Sequence, residues 1–79
     1  MIDLEKRMNL ERVLLWLYHN EINCEIGSFW DGGWWVRLGD PMNGYKDKAE
    51  NFYDLQSVAD WLQETALRYY SNMETVPNA

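Results

Sequence analysis

Apolar positions along this chain change period twice. Between Leu10 and Tyr18 they recur at helical spacing: Leu10, Val13, Leu14, Leu17 and Tyr18 share one face, which predicts an amphipathic helix. Asp3 or Asn9 can cap its start, and His19-Asn20 closes it. Leu4, Met8 and Leu15 form a second small apolar face, about 140° from the first, and Trp16 lies on neither. That second face is either a wide core-facing surface or a contact with a second copy or a partner.

From Glu21 the period drops to two. Ile22, Cys24, Ile26, Ser28 and Trp30 point one way, and Asn23, Glu25, Gly27 and Phe29 the other. Beyond Asp31-Gly32-Gly33, Trp34, Val36 and Leu38 alternate with Trp35, Arg37 and Gly39. A two-residue turn at Asp31-Gly32 sets Ile26 against Arg37 and mismatches the faces. A three-residue loop, Asp31 to Gly33, sets Trp30 opposite Trp34, Ser28 opposite Val36 and Ile26 opposite Leu38, with Gly33 as its left-handed residue. The expected register therefore puts Trp30 and Trp34 on the core face. Phe29 and Trp35 pair on the other face, at least half exposed beside Glu25 and Arg37.

Asp40-Pro41 and Asn43-Gly44 are turn signals. The charged run Lys46 to Asn51 fits an edge strand within Tyr45 to Phe52, its lysines deterring further pairing. A final helix starts at Asp54 as N-cap, with Tyr53 stapled to Val58. Its stripe is Leu55, Val58, Ala59, Leu62, Ala66 and Tyr69; Asp60, Gln63, Glu64 and Leu67 fall on the outer side. The expected architecture is an α+β fold with two layers in the order α-β-β-β-α. A three-stranded antiparallel sheet carries two helices on one face. One domain spans 1–70 and a flexible tail spans 71–79.

Composition narrows function more by exclusion than by assignment. The 79 residues hold five Trp, five Tyr and two Phe, enough large rings to fill a small core. Cys24 is the only cysteine and His19 the only histidine, so there is no intramolecular disulfide and no zinc spacing. A Cys24–His19 pair is the one thiol–imidazole arrangement open to the chain, against which Cys24 on the inward face reads as an inert core residue. Asp31-Gly32-Gly33 resembles a fragment of a calcium loop, but Trp34 and Trp35 stand where oxygen ligands would follow. No enzyme, metal or cofactor is expected. The lone thiol and the absence of a long apolar run point to a cytoplasmic protein that crosses no membrane.

Thirteen acidic residues against seven basic ones give a formal charge of −6. That sign opposes direct nucleic-acid binding and suits either simple solubility or a basic partner. The acids and rings best placed for such a partner are Glu25, Phe29, Asp31 and Trp35, with Tyr45 and Tyr70 in reserve and Asp60 and Glu64 on the last helix.

The element order resembles that of double-stranded RNA-binding domains, a likeness of fold alone. Those domains hold phosphates with basic residues at the start of the last helix, where this chain has Asp54, Gln56 and Ser57. A second resemblance is carried by the hairpin Trp30 to Gly33, the run Leu38 to Asp40 and the turn Asn43 to Tyr45. These look like the WDGG and LGD-x-x-NGY features of small proteins carried by phages, prophages and gene-transfer elements. In size and acidity the chain also resembles anti-CRISPR proteins that act on multi-subunit type I, Cascade-type complexes. That resemblance implies a host-cytoplasmic inhibitor that docks on a basic DNA-recognition surface and blocks target DNA. The competing expectation is an interaction module that self-associates as a homodimer, through Leu4, Met8 and Leu15 or through the Phe29–Trp35 face.

Overall fold

The structure, a computed structural model, describes residues 6–39, 42 and 47–69. Helix α1 (Leu10–His19) leads into strands β1 (Cys24–Phe29), β2 (Gly33–Leu38) and β3 (Asp47–Phe52), and helix α2 (Leu55–Tyr69) closes the fold. The sheet is antiparallel, in the order β1-β2-β3. This is the α+β, α-β-β-β-α architecture that the periodicity predicts. Asp3, Leu4, Tyr45, Tyr70, the turns at 40–41 and 43–44 and the tail at 71–79 lie outside the described residues.

Local chemistry sets the helix ends. The Asn9 side chain accepts the Arg12 N–H at 2.9 Å, which starts α1 there. At the other end Ile22 N–H reaches the Leu17 carbonyl at 3.0 Å and Glu21 N–H the Tyr18 carbonyl at 3.1 Å, with Glu21 left-handed at φ 59°. That is the Schellman arrangement with glutamate in the place usually held by glycine. Asp54 caps α2 by accepting both the backbone N–H and the hydroxyl of Ser57.

Leu10, Val13, Leu14 and Leu17 of the expected α1 stripe all pack into or against the core, which extends to Trp16 where the pattern had Tyr18. Trp16 is fully buried with Val13 and Leu17, whereas Tyr18 points into solvent. Both Trp16 and Tyr18 compete to flank the Val13–Leu17 line, and burying the larger indole rotates the helix toward Trp16. Val36 and Leu38 of β2 and Val58, Ala59, Leu62 and Ala66 of α2 complete the core, with Cys24, Ile26, Trp34, Ala49 and Phe52 packed against it. The sheet's inner face is thus the one the alternation assigns.

Two side chains expected on the outer side of the last helix, Gln63 and Leu67, are recruited inward. Gln63 is buried: its Oε1 accepts the Met8 N–H at 2.9 Å and its Nε2 donates to the Lys6 carbonyl. Gln56 Nε2 donates to the Met8 carbonyl at 3.0 Å. These bonds lay the chain before α1 along α2 and bury Met8 in the core, while Leu15 of the same expected face is exposed. Leu67 packs partly against the core as well. Conversely, Leu55 and Tyr69 at the two ends of the α2 stripe are exposed, and Tyr53 stands in solvent instead of stapling to Val58.

Candidate functional site: the aromatic end of the hairpin

The β1–β2 hairpin pairs Phe29 with Gly33, Ser28 with Trp34, Gly27 with Trp35, Ile26 with Val36 and Glu25 with Arg37. The loop is three residues long, but it consists of Trp30, Asp31 and Gly32 and not Asp31 to Gly33. Every partner is therefore two positions from the expected one, a slip that keeps both faces intact. Two glycines account for it. Gly32 N–H closes a tight turn onto the Phe29 carbonyl at 2.9 Å, and Gly33 follows at φ 87°. A Cβ on Gly33 would lie 2.5 Å from the Phe52 carbonyl oxygen, so β2 and β3 can approach there only over glycine.

Gly27 fixes the register from the other side. The Trp35 indole lies across it so closely that a Cβ at position 27 would stand 2.2 Å from Trp35 Cζ2. Arg37 covers the same ring, its guanidinium carbon 4.9 Å from the ring centroid, and reaches Glu25 Oε1 at 3.4 Å. Trp35 is consequently half-buried and braced, not the open ring that pairing with Phe29 would have made it.

Three exposed rings gather at the tip, while Tyr18 and Tyr69 stand exposed on the helices. Trp30 is 96% exposed, Tyr53 79% and Phe29 59%. With Ser28, Asp31 and Trp34 they line a hollow of about 370 Å³. Trp30 is the correction with most consequence: one step along the strand takes it out of the ladder and off the core face. Its signal was present in Trp30-Asp31-Gly32, since aspartate followed by glycine favours a turn that starts one residue earlier. Tyr53 was missed because it reads as a helix staple. Its ring comes within 3.4 Å of where a Gly33 Cβ would be, which joins it to the hairpin end.

The remaining candidates separate by charge. Asp31 sits exposed on the tip and makes no ion pair among the described residues. Asp60 receives a two-pronged contact from Arg7, both bonds at 2.9 Å, and a third from Gln56. The Arg7 hydrogen bonds hold its carboxyl below the usual carboxylate range, with Gln56 adding to the effect. Glu64 is paired with Arg68 one turn on, at 2.7 Å, and Glu25 with Arg37. So the structure splits the expected set. Phe29 and Asp31 share the tip, Glu25 and Trp35 are tied into the outer sheet face, and Asp60 and Glu64 lie on α2 against arginines. Tyr45 falls outside the described residues.

Cys24 is half-buried on the inner face, and burial pushes its thiol pKa up, which leaves little thiolate for nucleophilic chemistry at neutral pH. Among the described residues no three His, Cys, Asp or Glu side chains converge as a metal site. None of the described helices is long and apolar enough to cross a membrane. The chain matches no protein-family model, no curated protein and no solved structure.

Proposed function

We propose that this protein works by binding, with the hairpin tip as its anchor, and that its partner is the basic DNA-recognition surface of a type I, Cascade-type CRISPR complex. On this reading it is an anti-CRISPR inhibitor that keeps target DNA from its site. The observation that carries the anchor is Trp30: a tryptophan 96% exposed on a tight turn, beside Phe29 and Tyr53. Exposed rings on a fixed backbone lose little entropy on docking and supply most interface energy when buried. The formal charge of −6 supports the basic partner, since it steers association with a surface built to hold DNA. Asp31 is the acid best placed to meet a cation beside the anchor.

The test is a DNA-binding titration. Purified type I surveillance complex, loaded with guide RNA, is mixed with labelled target duplex and increasing amounts of the protein. The reading requires loss of DNA binding at near-stoichiometric protein, with the association rate falling as salt is raised. Undiminished DNA binding at large excess of protein excludes that partner.

A further inference from the structure

The sheet has two edges, and they are built differently. Along β3, Lys48 and Glu50 project outward, the register breaks between Trp34 and Val36, and Asn51 turns left-handed at φ 66°. Lysine, a bulge and a twisted backbone all hinder the addition of another strand. β1 has none of these. Its six residues hold unbroken register with β2, carry neither lysine nor proline, and among the described elements pack mainly on β2.

We propose that the β1 edge is a dimer interface, on which a second copy of this chain pairs antiparallel about a two-fold axis at Gly27, joining two sheets into one of six strands. Face parity limits the choices. A two-fold axis midway between Ile26 and Gly27 would set Ile26, which faces the core, against the outward Gly27 of the other copy. The axis must therefore pass through a residue. Centring on Ile26 brings the two Glu25 side chains into diagonal contact, a like-charge arrangement. Centring on Gly27 sets each Glu25 opposite Phe29 of the other copy, well apart from its own kind and still paired with Arg37. The same centring abuts the two Trp35 rings over facing glycines, where neither copy has a side chain to obstruct them. An isologous contact needs a strand that is complementary to itself, and β1 meets that condition in this register.

The inference is independent of the tip reading, because a protein held monomeric can still dock through Trp30. Sedimentation and hydrogen exchange, each run on the full chain from micromolar to millimolar concentration, test it together. The expected result is a monomer–dimer equilibrium in which added amide protection is confined to residues 24–29 and spares 47–52. Ser28→Lys, at an exposed position on the edge, should return the protein to monomer with its melting temperature held. The proposal is overturned by a monomer at every concentration, including one that accepts a foreign strand-forming peptide. Protection centred on 30–34 and 53, or β1 amides protected equally in dilute monomer, would overturn it as well.

Discussion

Trp16 and Trp30 are the same residue put to opposite uses. Trp16 is 0% exposed between the helices and the sheet, while Trp30 is 96% exposed on a turn. The first lies off the apolar stripe that the helix pattern defines, and the second lies on the alternation that marks the core face. Both assignments invert in the structure, for the same reason. Position in a periodic pattern is decided locally, but a large ring is placed by whatever packing or turn geometry dominates around it. In α1 the volume of the indole wins. In the hairpin two glycines win, by setting where the turn begins.

The core side of the comparison carries the largest expected effect. Trp16→Ala should destabilise the fold by about 3–5 kcal/mol, enough to leave a domain of this size largely unfolded in a denaturant or thermal melt. Trp16→Phe should cost much less than Trp16→Ala. Phenylalanine keeps most of the packing and removes an indole N–H that has no hydrogen-bond partner among the described residues.

Gly33→Ala comes next, because the position is left-handed and faces the Phe52 carbonyl oxygen at 2.5 Å from a Cβ. A loss of roughly 1–3 kcal/mol is expected, read as a lowered denaturant midpoint. Should the variant melt like the parent, the hairpin does not turn where this structure places it.

A smaller effect separates Asp60 from the tip acid Asp31. Its carboxyl is held low by Arg7, so the charged form stabilises the fold above the ordinary carboxylate range, and that contribution disappears as pH falls through the depressed folded-state value. Asp60→Asn should lower the melting temperature modestly at pH 7 and converge with the parent in acid. Asp31→Asn, at an exposed acid with no ion pair among the described residues, should leave the melting temperature at pH 7 unchanged.

Much of the fold was legible in the sequence. Element order, helix caps at Asn9 and Asp54, the alternation of β2 and the left-handed Gly33 all follow from local rules that the structure obeys. What was not legible depends on contacts between distant residues. Gln63 reads as an outward polar residue until the chain before α1 comes to lie against it. Asp60 reads as a free acid until Arg7, 53 residues away, is seen to clasp it. Of the candidate site, Phe29 and Asp31 lie where the exposed surface is. Trp35 does not, because Gly27 beneath it and Arg37 above it are visible as partners only once the register is known.

The central claim is that the tip serves binding and contributes little to the fold, and one paired measurement tests it most directly. Trp30→Ala and Trp35→Ala are compared for melting temperature and for inhibition of target-DNA binding by the type I complex. Truncating an exposed ring should change stability by no more than about 0.5 kcal/mol. The same change should weaken inhibition by at least about 30-fold, the loss expected of a buried anchor worth roughly 2 kcal/mol. Trp35→Ala should show the reverse balance, with the larger loss in stability. If Trp30→Ala stays folded and inhibits as well as the parent, the hairpin tip is not the anchor.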